Sequence, residues 1–89
     1  MFQKLLAEFL GTMFFLYVIL ATGDFVAIGL ALMAVIFILG KQSGGHFNPA
    51  VTIMMTIAGK LSLKNLAPYI IAQIGGGLAA LELYKRVKF

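Results

Sequence analysis

The chain has 89 residues, of which 62% are hydrophobic and 11% are charged, with a formal net charge of +4. A soluble domain of this length cannot bury so large an apolar share, so the composition excludes an ordinary water-soluble fold. With no cysteine and one histidine, the chain has no disulfides or thiolate ligands and too few donors for a metal centre, and we expect no cofactor. The basic residues lie at the edges of apolar runs, which points to lipid headgroups and not nucleic acid as their partner.

Three apolar runs are long enough to cross a bilayer. The hydropathy pattern predicts helices over about residues 5–22, 25–40 and 66–84, close to the roughly 17 to 25 residues of a spanning helix. The first run is long for a signal peptide and has no convincing cleavage site before Asp24. The sequence therefore predicts an all-α, multi-pass integral membrane protein, which we expect in the cell membrane.

A shorter apolar segment lies between the second and third runs. Asn48 and Pro49 are typical of a helix N-cap and first turn, and Gly59 with Lys60 is typical of an end. A helix over residues 49–59 would be roughly 16 Å long, about half of the hydrocarbon core. We therefore predict a re-entrant half-helix, the alternative being a surface loop closed by an Asn-Pro turn.

The segment before this half-helix is rich in glycine. Non-helical backbone at membrane depth is tolerated only where it packs in protein or lines a wet cavity. We therefore expect residues 43–46 to face a pore, with Gly44 and Gly45 allowing carbonyls to point into it. The half-helix N-terminus would bring partial positive charge to the midplane, where Asn48 can offer amide donors to a solute.

The third spanning helix combines a predicted cap with a face of small residues. Ser62 can cap this helix, with Pro68 in or near its first turns. Ala72, Gly76 and Ala80 recur at helical spacing, a pattern typical of close helix contact.

Three motifs resemble one family in their order and spacing. They are the box of residues 43–52 (SGGHFNPAVT), residues 7–12 (AEFLGT), and residues 69–73 (YIIAQ) with Gly76. Together they resemble the first Asn-Pro-Ala box and its flanking helices in the aquaporin and glycerol-facilitator family, the major intrinsic proteins. The resemblance covers the N-terminal half of a typical member, so residues 1–89 are interpreted as a single half-domain.

The resemblance implies a role for each polar or loop residue. The pore-lining set implied by it is Gly44, Gly45, His46, Asn48, Pro49 and Ala50. His46 would narrow the inner mouth, although a merely packed histidine is the alternative. Glu8 and Gln73 would brace the re-entrant loop, since polar groups inside a membrane normally face the protein interior. The alternatives are snorkelling for Glu8 and an ordinary interhelical hydrogen bond for Gln73.

The resemblance further implies a passive channel for water and small neutral solutes such as glycerol. An enzyme is not expected, because no nucleophile, base and orienting group can be assembled.

Three spans place the termini on opposite sides, so two copies could form a pore only if inverted. The basic residues are nearly balanced, with Lys4, Lys41, Lys60 and Lys64 on one side and Lys85, Arg86 and Lys88 on the other.

This balance favours an antiparallel homodimer of two half-pores, with higher oligomers possible by analogy. A separate partner half is an alternative, as is a non-conducting accessory subunit docked on a full-length channel.

Family members carry an arginine after the second box and often an aromatic residue in the second helix. Here Val51 and Ile28 stand at the corresponding positions. An apolar constriction of this kind should pass glycerol with water.

Overall fold

The computed structural model describes residues 1–87, which form three long helices, one half-length helix and a short 3₁₀ turn. The elements are α1 (Phe2–Thr22), α2 (Phe25–Ser43), α3 (Pro49–Ile57), the 3₁₀ turn (Leu63–Asn65) and α4 (Leu66–Arg86). No strand occurs within residues 1–87. The described part measures 39 × 23 × 20 Å, so its long axis matches a bilayer of about 40 Å including the headgroup regions.

Three segments are long and apolar enough to span a membrane, namely Phe2–Thr22, Phe25–Ser43 and Leu63–Arg86. The prediction of an all-α protein with three spanning helices is confirmed. The chain reverses between α1 and α2 at Gly23, and the Asp24 carboxylate caps α2 by accepting from the Ala27 N–H at 2.9 Å. Helix α2 therefore runs antiparallel to α1.

The helix bounds differ from the sequence estimates at several ends. Helix α2 continues past Gly40 to Ser43, because the left-handed capping residue is Gly44 and Lys41 in the last turn suits the helix C-terminus. Helix α3 ends at Ile57, and Gly59 closes it while the Lys60 N–H bonds to the Met55 carbonyl at 2.9 Å. The half-length character of α3 is unchanged by this difference.

Ser62 does not cap α4, contrary to the sequence expectation. The 3₁₀ turn comes between Ser62 and α4, and the Ser62 carbonyl accepts from the Asn65 N–H at 2.9 Å while its hydroxyl makes no capping bond. Pro68 occupies the third position of α4, where its missing N–H costs no helical hydrogen bond.

Helices α1 and α4 pack closely along parallel directions. A Cβ atom built at Gly76 would lie 2.5 Å from the Phe9 carbonyl oxygen, so the two backbones meet where Gly76 has no side chain. Ala80 is fully buried, and near the far end the Tyr17 hydroxyl donates to the Val87 carbonyl at 2.7 Å. The small-residue face of α4 therefore makes the close contact expected of it.

The outer surface of the described part is apolar. Its most exposed large side chains include Phe25, Phe37 and Ile57, each more than four-fifths exposed. On α2 only Ala31, Val35 and Ser43 are buried. Such a surface is suited to lipid or to another apolar protein surface.

Candidate functional site: a braced re-entrant loop

Two helix faces converge on the loop that links α2 to α3. On α1 the buried residues are Ala7, Glu8, Gly11 and Thr12, and on α4 they are Tyr69, Gln73, Gly76 and Ala80. Each set recurs at spacings of three and four residues, so each lies on one helix face. Because Glu8 and Gln73 stand toward the ends from which α1 and α4 begin, their polar groups meet the loop there.

The Glu8 side chain is the centre of the loop structure. It is completely buried, and each of its two carboxylate oxygens accepts two hydrogen bonds. Oε1 accepts from the Phe47 N–H and from Gln73 Nε2, both at 2.8 Å. Oε2 accepts from the Ser43 hydroxyl at 2.7 Å and from the His46 N–H at 3.1 Å. Four donors from three segments of the chain therefore converge on one side chain.

A second polar layer ties the loop to α3. Gln73 Nε2 also donates to the Thr52 hydroxyl oxygen at 2.7 Å, and His46 Nδ1 lies 2.9 Å from that same oxygen. This Gln73 orientation places both amide hydrogens against acceptors, whereas the flipped amide would aim an oxygen at the Glu8 carboxylate. Thr52 is completely buried, so α3 is fixed to α4 from within the protein.

The loop backbone turns tightly through left-handed conformations. Gly44 and Gly45 have φ values of 95° and 70°, which glycine adopts at little cost. The Ser43 hydroxyl accepts from the Gly45 N–H at 3.2 Å, and the Ser43 carbonyl accepts from the Tyr69 hydroxyl at 2.7 Å. The turn is therefore anchored to both α1 and α4, and its backbone N–H groups find acceptors inside the protein.

Helix α3 begins at the end of this loop. Pro49 is its first residue, and the Asn48 side chain caps it by accepting from the Ala50 N–H at 2.8 Å. Capping uses the side-chain oxygen Oδ1 of Asn48, which leaves the side-chain NH₂ group as a donor. Asn48 and Ala50 are exposed, so the start of α3 presents an open surface of the described part.

A groove of about 440 Å³ extends beyond this helix start between α1 and α4. Its walls are Thr12, Phe15 and Leu16 from α1 and Ile74, Gly77 and Leu78 from α4, with Phe47, Asn48 and Pro49 at one end. Since Thr12 is the middle residue of α1, Asn48 borders the groove near half the height of the helix bundle. The groove is otherwise mostly apolar.

The structure brings most of the predicted site residues together. Glu8, Gln73 and His46 lie in one hydrogen-bonded cluster, and Pro49 and Ala50 adjoin it. His46 is buried, with its ring centre 5.3 Å from that of Tyr69. Ser43, which the sequence analysis placed facing a pore, instead turns its hydroxyl inward to Glu8.

Two predicted residues stand apart from this cluster. Ile28 lies in the second turn of α2, about 22 Å along the helix from Ser43 at 1.5 Å per residue. Val51 is half-buried in the first turn of α3. Their part in a constriction stays a prediction.

Several residues of the site were missed by the sequence analysis. Thr52 and Tyr69 each complete a hydrogen bond of the brace, and Gly11 packs against Phe47. A signal was available for Tyr69, because it lies four residues before Gln73 and so on the same helix face. Thr52 similarly lies one helical turn beyond Asn48.

Three spanning helices and a half-length helix held by buried polar groups define a multi-pass integral membrane protein with a re-entrant loop. A sequence model of the family described as "Major intrinsic protein" matches residues 1–88, and the chain belongs to that family. This match confirms the resemblance seen in the three motifs. Members of the family are membrane channels and not enzymes, which confirms the expectation that the chain is not an enzyme.

Curated relatives come from bacteria and a plant. The chain is 40% identical to Aquaporin Z of Brucella melitensis biotype 1, with 90% of this chain and 42% of the relative covered. It is 45% identical to Glycerol uptake facilitator protein-like 6 of Lactiplantibacillus plantarum, covering 88% and 40%. It is 41% identical to Aquaporin NIP1-1 of Arabidopsis thaliana, covering 91% and 32%. The chain therefore spans less than half the length of these relatives.

Proposed function

We propose that residues 1–89 form one half of a passive channel for water and small neutral solutes such as glycerol, and that an inverted second copy supplies the other half. The observation that carries this proposal is the position of Asn48. Its carboxamide is exposed near the middle of the bundle, at the start of a half-length helix whose loop is fixed by a buried carboxylate. A polar group held in this way can hydrogen-bond a solute crossing the membrane.

The groove beyond Asn48 supports the pairing of two halves. Helix α3 is about 14 Å long and α4 about 31 Å at 1.5 Å per residue, so α3 covers roughly half of the space along α1 and α4. The apolar groove occupies part of the remaining length. The half-helix of an inverted copy enters from the opposite face and has the length needed to cover this space.

The charge distribution supports the inverted copy over a partner of different sequence. Lys4, Lys41, Lys60 and Lys64 fall on the side where α1 begins, and Lys85 and Arg86 fall at the end of α4. Lys88, counted with the second group, lies outside the described residues. A weak bias of basic residues gives little preference for one orientation during insertion.

The lining groups favour neutral solutes. Two opposed half-helix N-termini would place roughly one full positive charge near the midplane, which repels cations. The Asn48 NH₂ donates to oxygen atoms of water or of a polyol. Val51 and Ile28 add no charge, so we propose that glycerol passes together with water, in keeping with the names of two kinds of relatives.

The test is water and glycerol flux into proteoliposomes that contain only this chain. We expect both solutes to enter, and we expect Asn48→Ala to reduce both fluxes at matched protein level because it removes the donor and the cap. Thr56→Ala is the control, since its hydroxyl bonds only the Thr52 carbonyl within α3. Flux in Asn48→Ala equal to that of the control would place this loop outside the conduction path.

The inverted copy is tested separately by accessibility of an N-terminal tag in intact and permeabilised cells. Comparable labelling from both faces is the expected result. A single orientation contradicts the homodimer and leaves a pore completed by a different half. No flux from the purified chain, despite dual orientation, would favour the non-conducting accessory role.

A further inference from the structure

Phe47 is the residue that joins the brace to Asn48, and its backbone is strained. It is the one non-glycine residue within the described range with positive φ, at 54°. This conformation is unfavourable for a residue with a Cβ atom, and it persists only where the surroundings impose it. Phe47 is 2% exposed, so the surroundings that impose it are protein atoms.

Helix α1 holds Phe47 at two points one helical turn apart. Glu8 accepts from the Phe47 backbone N–H at 2.8 Å. The Phe47 ring lies on the backbone of Gly11, where a Cβ atom would overlap the ring edge and come within 2.7 Å of both Cδ1 and Cζ. The ring therefore occupies the space that any other residue at position 11 would fill with its own side chain.

We propose that Gly11 is a positioning residue for conduction, and that the allowed size of residue 11 is set by the size of residue 47. Phe47 immediately precedes Asn48, so a displacement of the Phe47 ring moves the carboxamide that we place on the solute path. The Gly11–Phe47 contact thus fixes Asn48 laterally while Glu8 fixes the loop backbone. This inference rests on the proposed function, because it assigns Gly11 a role in solute flux.

The chain offers a matched control for this contact. Gly29 is also a helical glycine, but a Cβ atom there meets no atom within 4 Å. The substitution Gly29→Ala therefore makes the same chemical change without displacing a neighbour. Gly11→Ala differs from it only in pushing against the Phe47 ring.

The experiment compares Gly11→Ala, Gly29→Ala and the double variant Gly11→Ala/Phe47→Leu in proteoliposomes. Water permeability is divided by the amount of folded, reconstituted protein, so that a loss of folding alone does not lower the value. We expect a severalfold loss for Gly11→Ala and no loss for Gly29→Ala. Leucine lacks the Cε1 and Cζ atoms of the ring, so the double variant should regain most of the lost permeability.

Two results overturn the inference. One is a permeability per folded protein in Gly11→Ala equal to that of Gly29→Ala. The other is a failure of Phe47→Leu to restore flux in the Gly11→Ala background. If Gly11→Ala does not fold, Phe47→Leu must restore both folding and flux for the inference to stand. Absence of flux in the unsubstituted chain instead contradicts the proposed function, so the two failures are distinguishable.

Discussion

Helix α1 has two neighbours, and the two interfaces are built differently. Toward α4 it presents Thr12, which is buried, and Gly76 of α4 lets the two backbones come close. Toward α2 the contact leaves most of α2 uncovered, with Phe37 86% exposed. The polar brace of the loop joins Glu8 of α1 to Gln73 of α4. Helix α2 contributes to it only through its last residue, Ser43.

This difference separates the interface that the chain stabilises by itself, between α1 and α4, from the face of α2 that needs other molecules. In the α1–α4 pair the Glu8 carboxylate bonds the loop N–H groups and the two backbones pack closely at Gly76, so we expect this pair to carry most of the stability of the described part. The outer face of α2 gains nothing from this core and depends on lipid or on a partner surface. Substitutions should therefore have large effects on the α4 side and small effects on the α2 side.

The largest loss is expected for Glu8→Gln. An amide of the same shape must present NH₂ to positions now filled by donors, so at least one buried N–H of the loop loses its acceptor. We expect a destabilisation of roughly 3 kcal/mol. Unfolding by SDS in mixed micelles measures it, with Glu82→Gln as control because the Glu82 side chain is 58% exposed and forms its ion pairs with Lys85 and Arg86 at the surface. Equal unfolding of the two variants would show that the brace does not stabilise the loop.

A smaller loss is expected for Gly76→Ala. The added methyl group lies 2.5 Å from the Phe9 carbonyl oxygen and 3.2 Å from the Met13 nitrogen, and neither backbone atom can move without separating the helices. We expect a destabilisation of roughly 2 kcal/mol, typical of overpacking. Gly29→Ala on α2 should show no loss in the same titration. The contrast between the interfaces breaks down if both alanines are tolerated alike.

The smallest of the three effects is expected for Thr52→Ala. This change removes the acceptor of one Gln73 hydrogen and the neighbour of His46 Nδ1, at a site with no exposure. We expect a loss of about 1 to 2 kcal/mol. Thr56→Ala, one turn further along α3, removes only a bond to its own helix and should cost less. A larger effect at Thr56 would place the anchor of α3 at its far end.

Much of the fold was predictable because its signals are local. Run length and hydropathy indicated three spanning helices, and Asn48 with Pro49 indicated the start of the half-helix. The helix ends were less accurate, because Gly40 and Gly44 are both able to close α2 and only the tertiary position of Ser43 decides between them. Ser62 fails as a cap for α4 for a similar reason, since the 3₁₀ turn intervenes.

The polar brace was only partly predictable. Glu8 and Gln73 stood out as polar residues in apolar helices, but their donors and acceptors come from all four helices and the loop. The inward turn of Ser43 and the place of Thr52 depend on how α1, α4 and the loop meet. The Gly11–Phe47 contact joins positions 36 residues apart that carry no polar signal, so only the structure shows it.

The four donors to Glu8 also set an order of events during synthesis. They come from residues 35, 38, 39 and 65 positions later in the chain, so Gln73 is the last of them to be synthesised. The loop can satisfy part of the carboxylate once α2 has inserted, but Gln73 arrives only with α4. The carboxyl group therefore lacks one of its four donors until the last helix is in place, and we expect the loop to take its final position late in assembly.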